Sequence, residues 1–162
     1  MRIVIDPFDK KSINTAVKEL ERYKKDFVVK ETEFIRRLKE LGVSVAEAGF
    51  ATADYDGLND VLIAETQSGG RAAVIAYGET VGFIEFGTGV RYPEWDGSGS
   101  PYTPPKHGTY GKGKGANPKG WWFSTSPGSA RHTYGNPPAE AMLTARNSIV
   151  EQVVQIAKEV WR

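Results

Sequence analysis

The sequence predicts an α+β fold: a small antiparallel sheet with a long N-terminal helix and a C-terminal helix, interrupted by a long Gly/Pro/aromatic-rich loop. Three observations predict it. Two long stretches, one at each end, repeat their apolar residues at helical spacing. Between them two short β-like runs are joined by Gln67-Ser68-Gly69-Gly70, a hairpin signal. From Gly87 to Gly120 the chain is rich in Gly and Pro and poor in aliphatics, so it cannot bury enough apolar surface by itself to offset its ordering entropy.

The first helix is expected from about Lys10 to Leu41. Ile13, Val17, Leu20, Phe27, Phe34, Leu38 and Leu41 follow at steps of three, four and seven, which puts them on one face. Pro7 ahead of the run and Gly42 behind it read as start and stop signals, and Thr32 with Val28-Val29 as a possible bend. The polar face carries mixed charges and no basic surplus, so a packing helix is favoured over a membrane-surface one. Ser44-Val45-Ala46-Glu47 is a capping-box pattern, predicting a separate short helix from about Val45 to Ala53. Asp54-Tyr55-Asp56-Gly57 reads as a turn.

The strands are expected over Asp60–Thr66 and Arg71–Tyr77. Val61, Ile63 and Glu65 share one face of the first; Ala73, Ile75 and Tyr77 share one face of the second. Glu79–Phe86 suits a helix of about two turns, with Phe83 and Phe86 on one side, Phe86 as core anchor, and Val81 and Ile84 partly buried. Gly120-Trp121-Trp122-Phe123-Ser124 suits a strand. The C-terminal helix is expected from about Pro138 to Val160, opened by Pro137-Pro138.

Length and composition set bounds on function. A chain of 162 residues reads as a single domain, 1–162, with 87–136 as an arm within it. There is no cysteine, which removes disulfides, thiolate chemistry and the common cysteine zinc sites. The first residues lack the apolar run of a signal peptide, and no stretch is apolar enough to span a bilayer, so a cytoplasmic product without membrane contact is expected. The formal charge of +1 is unevenly spread. From Gly89 to Asn136 six basic side chains stand against two acidic ones, an excess of +4, so the rest carries −3.

The run Tyr77-Gly78-Glu79-Thr80-Val81-Gly82-Phe83-Ile84-Glu85-Phe86-Gly87-Thr88-Gly89 resembles the signature of a siphophage tail-component family named after gene product ten of a lambdoid phage. Members carry Glu-Phe-Gly-Thr just after a hairpin, then a variable loop, then a Pro-containing segment leading into a C-terminal helix. Gly135-Asn136-Pro137-Pro138-Ala139-Glu140-Ala141-Met142 resembles that second landmark, and the resemblance spans most of the chain. It implies a small curved sheet flanked by helices. It also implies a structural, non-enzymatic role in a tailed-phage virion, in the head-tail connector, neck or tail-completion ring. The implied partners are further copies in a homo-oligomeric ring, other neck, portal-side or tail-tube proteins, and transiently the DNA passing through the lumen. The implied location is the virion, after synthesis in the host cytoplasm.

Candidate residues follow from both readings. Glu85, Phe86, Gly87 and Thr88 are subunit-interface candidates, with a local helix stop as the competing explanation. Tyr92, Trp95, Trp121 and Trp122 are interface anchors of the arm, since Trp and Tyr are the residues interfaces favour. Lys106, Lys112, Lys114 and Lys119 are candidates to face a lumen or DNA. The rival reading makes loop 89–136 a DNA-binding module. A third, a small hydrolase using Glu85 with His107 or His132, lacks a second group at fixed spacing. Those two histidines show no His-x-x-x-His spacing, so neither metal nor cofactor is expected. Lys112-Gly113-Lys114-Gly115 is not a phosphate loop, and Ser124, Ser126 and Ser129 lack a nucleophile-elbow context.

Overall fold

A computed structural model describes residues 4–55, 57–68, 70–88, 119–126 and 128–162. The fold is α+β. In chain order it comprises α1 (Lys10–Ala51), β1 (Leu62–Ser68), β2 (Arg71–Tyr77), α2 (Val81–Phe86), β3 (Trp121–Ser126), β4 (Ser129–Thr133) and α3 (Ala141–Val160).

The first helix is longer than its periodicity predicts. Asp9 caps it, its carboxylate accepting from the amides of Lys11 at 2.9 Å and Ser12 at 3.2 Å. No break occurs at Val28–Thr32, where the Thr32 hydroxyl donates to the Val28 carbonyl at 2.8 Å within an unbroken helix. The expected stop at Gly42 and the separate helix after Ser44 are both corrected: α1 runs through them to Ala51. The reason lies in packing. A Cβ on Gly42 would come within 2.9 Å of Ile149 Cδ1 and 3.1 Å of Val74 Cγ2, and one on Gly49 within 2.7 Å of Ala141 Cβ. Gly42, Ala46 and Gly49 form a stripe of small residues along which α3 lies antiparallel and close, and the helix continues because its glycines are contact points. Farther along the pair, Arg37 meets Glu159 at 3.2 Å, and Trp161 packs edge-on against Phe34 with ring centres 5.0 Å apart.

The β1–β2 hairpin pairs Leu62 with Tyr77 through Ser68 with Arg71. β1 starts two residues later than predicted because Asp60 is otherwise engaged. Its carboxylate accepts from the amides of Glu79 at 2.8 Å and Thr80 at 2.9 Å, and from the Thr80 hydroxyl. These bonds hold the Asp60 carboxyl below its ordinary range, the Thr80 hydroxyl contributing most. Ile63, Ala64, Val74 and Ala76 are the half-buried positions, whereas Ile75 and Tyr77 face outward. On α1, Lys39 bonds Glu65 of β1 at 2.7 Å and ties the hairpin to the helix. The central cluster is Phe50, Ile84 and Ala141, so Ile84, fully buried, is the anchor of α2. Phe86 is only half-buried, which corrects its expected role.

Two further differences concern the second half. The sheet is two separate two-stranded ribbons, β1–β2 and β3–β4. β3 lies where the sequence suggests a strand, but its partner β4 falls inside the stretch read as irregular arm. α3 begins at Ala141, not at Pro138, because residues 137–140 are held along α2, as the next subsection describes.

Candidate functional site

The Glu85–Thr88 motif forms half of a clasp whose other half is Asn136–Leu143. α2 places Glu85 on its buried side, only 4% exposed, facing the first turn of α3. Its carboxylate accepts from the amide of Met142 at 3.0 Å and of Leu143 at 3.2 Å. An α-helix leaves its first amides without partners and carries a partial positive charge there. Glu140 precedes α3 in a left-handed conformation and makes no side-chain cap, so Glu85, more than fifty residues upstream, supplies it. Burial raises the Glu85 carboxyl above its ordinary pKa, while the α3 amides pull the other way.

Backbone bonds extend the clasp on both sides. The Ala139 amide donates to the Ile84 carbonyl at 2.8 Å, and that of Glu140 to the Glu85 carbonyl at 3.2 Å. Thr88 and Asn136 form an isolated antiparallel bridge, with amide–carbonyl bonds of 2.9 and 3.1 Å. Their side chains, both buried, meet as the Thr88 hydroxyl donates to Asn136 Oδ1 at 2.6 Å. Asn136 Nδ2 in turn donates to the Phe83 carbonyl at 2.9 Å. Between these contacts Gly87 adopts φ 70°, and a Cβ there would lie 2.7 Å from Pro138 N and 2.8 Å from the Asn136 carbonyl oxygen. Only glycine meets both demands.

Of the predicted site residues, Glu85, Gly87 and Thr88 are therefore buried within the chain, their polar groups bonded to Asn136, Met142 and Leu143 of the same chain. Trp121 and Trp122 lie on β3. Trp122 is 65% exposed and meets His132 of β4 edge-on at 5.2 Å, and His132 meets Tyr134 at 4.8 Å. The His132 Nε2 atom lies 3.0 Å from the Lys119 carbonyl oxygen. Lys119 itself is exposed. From Lys119 to Ala139 the sequence holds no acidic residue, so this aromatic row stands in a cationic stretch with Lys119 and Arg131. Tyr92, Trp95, Lys106, Lys112 and Lys114, and His107 with them, lie outside the described residues.

Asn136 lies in the second landmark, but the sequence does not mark it as the side chain that bonds Thr88. The available signal is its place just before Pro137-Pro138, where an extended residue with a bonding side chain is favoured. Among the described residues no group of three His, Asp or Glu side chains is arranged to hold a metal, and no described helix is long and apolar enough to cross a membrane. The chain matches no family model, no curated protein and no solved structure.

Proposed function

We propose that the chain is a non-enzymatic structural protein of a tailed-phage virion, a subunit of the head-tail connector, neck or tail-completion ring. The observation that supports this reading is the clasp. The two landmarks that carry the family resemblance, Glu85-Phe86-Gly87-Thr88 and Asn136-Pro137-Pro138, are 48 residues apart at Thr88 and Asn136 and bond to each other directly. A motif pair that forms a clasp rather than presenting a reactive group fits a frame protein. The clasp fixes the two ends of the 89–135 segment side by side at the junction of α2 and α3. A segment tied at both ends in this way is suited to reach an adjacent subunit or the next ring, with its Trp and Tyr residues as anchors. In this mechanism ordering of residues 89–118 on contact would hold back premature assembly, because a Gly- and Pro-rich stretch poor in aliphatics cannot by itself offset its ordering entropy.

Immunogold labelling of purified virions tests the reading. Label at the head–tail junction or tail end is expected; absence of the chain from purified particles would sink it. Limited proteolysis sharpens the mechanism: cleavage within 89–118 in the free subunit should be suppressed in the particle, and equal cutting in both would remove the arm's role.

One observation favours the rival DNA-binding module, the exposed Trp122 beside His132 and Tyr134 in a stretch without acidic residues. Such a row offers stacking faces next to cations. Duplex binding with a steep salt slope, lost on neutralising Lys112, Lys114 and Lys119, would favour that reading over a purely protein-facing arm.

A further inference from the structure

We infer that the free protein pairs with a second copy of itself through α1, antiparallel. The projecting N-terminal half of one α1 would lie in the groove at the C-terminal half of the other. The inference stands apart from the neck reading: a pair in the free protein neither requires a phage ring nor forbids one.

Three features of α1 lead to it. First, α3 ends at Val160, the next residue Trp161 touches Phe27 and Phe34, and α1 continues beyond that point for more than four turns. From Lys10 to Val29 every residue except Ser12, Ala16 and Glu19 is exposed. Ile13, Val17, Leu20 and Phe27 are 40–51% exposed on one face. A helical stretch of this length is marginal in water without a partner.

Second, the apolar face does not stop where α3 begins. It runs into an open groove of about 480 Å³ floored by Phe34, Leu38 and Gly42 and walled by Val74 of β2 and Ile149 and Val150 of α3. Val150 is itself 58% exposed. One continuous apolar track thus extends from Ile13 to Leu41, roughly 40 Å at the α-helical rise. A contact that long and one helix (~10 Å) wide covers on the order of 400 Å² on each partner, whereas a stable interface takes ~800 Å² per partner. The groove walls add only part of the difference, so the pair is a weak, concentration-dependent one.

Third, the track carries its own orientation signal. From Ile13 to Leu41 its positions alternate at steps of four and three, the spacing of a coiled-coil seam, and all are apolar except Lys24 and Glu31. Neither of these two makes an ion pair among the described residues, although six other pairs lie along α1 and its neighbours. A parallel pair would set Lys24 against Lys24 and Glu31 against Glu31. An antiparallel pair centred near Phe27 brings each Lys24 within about one turn of the second copy's Glu31, and lays Val17 and Leu20 over that copy's Leu38 and Phe34. Like charges in the seam disfavour the first arrangement and opposite charges favour the second. The interface is self-complementary about a two-fold axis, so it closes at two copies.

Sedimentation equilibrium on the full chain across a concentration series tests the pair. A monomer–dimer equilibrium with a dissociation constant of micromolar order is expected. Leu20→Glu should leave only monomer, while Ile75→Glu, an equally exposed apolar position on the outer face of β2, should leave the dimer unchanged. Lys24→Glu should weaken pairing about tenfold, because the change is felt twice across the axis. The exchange K24E with E31K should restore it. Each substituted position is solvent-facing or half-exposed, and an unchanged far-UV circular dichroism spectrum confirms that each variant is folded. A wild-type monomer throughout the series overturns the inference, as does a dimer indifferent to Leu20→Glu. A dimer sensitive to Leu20→Glu but weakened by K24E without recovery in the exchange overturns the antiparallel arrangement.

Discussion

The two halves of α1 belong to one unbroken helix but live in different environments. The C-terminal half meets α3 along Gly42, Ala46 and Gly49, with approaches so close that a single added Cβ would collide with Ile149 or Ala141. The N-terminal half buries Ala16 but leaves Ile13, Val17 and Leu20 about half exposed, yet repeats the same apolar period. Helical periodicity therefore records that a face needs cover, and does not record whether the cover comes from the same chain. What distinguishes the halves is side-chain size. Gly42, Ala46 and Gly49 mark the face that meets α3, and Ile13, Val17 and Leu20 mark a face left open among the described residues, next to the buried Ala16.

Breaking the close half should have the largest effect. Gly49→Val places branched carbons where Ala141 Cβ already lies 2.7 Å from an ideal Cβ, with Ala141 Cα at 3.0 Å. The obstruction includes backbone, so α1 and α3 must separate. We expect a loss of about 3 kcal/mol or more of unfolding free energy. Gly87→Ala should cost about 2–3 kcal/mol, since it combines φ 70° with contacts below 3 Å to Pro138 N and the Asn136 carbonyl. Urea denaturation reads both, and a change under about 0.5 kcal/mol in either, the ordinary surface value, would remove the steric argument.

Next comes the clasp. Glu85→Gln keeps the shape but turns one acceptor into a donor, leaving an α3 amide facing an N–H group. We expect a loss of about 1–3 kcal/mol at neutral pH. A variant as stable as the parent would mean that the α3 amides are satisfied otherwise.

How much of this was legible in the sequence depends on where the deciding contact lies. α1, the β1–β2 hairpin and α3 are set by local periodicity and turn residues, and they appear close to where Lys10, Gln67–Gly70 and Val160 suggest. Errors cluster where a distant partner decides. Gly42 reads as a helix stop until Ile149 is seen against it. Ser44-Val45-Ala46-Glu47 satisfies a capping pattern, but α1 arrives already wound and needs no new start. β4 is polar, Ser-Ala-Arg-His-Thr, and becomes a strand by pairing with Trp121–Ser126. Pro137-Pro138 would open a helix, yet the Ala139 and Glu140 amides are bonded to α2 and delay it to Ala141. The same holds for the clasp: the helix whose first amides Glu85 caps begins only after the arm.

A pH series separates the clasp from the surface of α1 through opposite signs. Burial raises the Glu85 carboxyl, so its contribution to stability is full below its unfolded pKa and is lost as pH rises through the higher folded value. Glu33 on the exposed face behaves inversely: its bonds to Arg36 and Arg37 lower it from 4.5 to about 2, so its contribution is present above 4.5 and lost as pH falls toward 2. The advantage of the parent over Glu85→Gln should therefore shrink as pH rises above 4.5 and then level off, whereas Glu33→Gln should converge on the parent as pH falls below 4.5. An advantage over Glu85→Gln that grows with pH would mean that the α3 amides, not burial, dominate at Glu85.

The smallest effect should come from the open half. Leu20→Ser at concentrations low enough to leave only monomer removes a half-exposed side chain with no described partner, and should change unfolding free energy by under about 0.5 kcal/mol. The same substitution measured at high concentration should lower the melting temperature of the parent's paired form, because a partner that binds only the folded chain adds stability by mass action. The comparison between the halves thus becomes a concentration dependence. Gly49→Val costs the same at any dilution, whereas the cost of Leu20→Ser appears only where two copies meet. If Leu20→Ser were as damaging in dilute solution as Gly49→Val, the N-terminal half of α1 would have cover within its own chain, and the contrast on which the pairing rests would be gone.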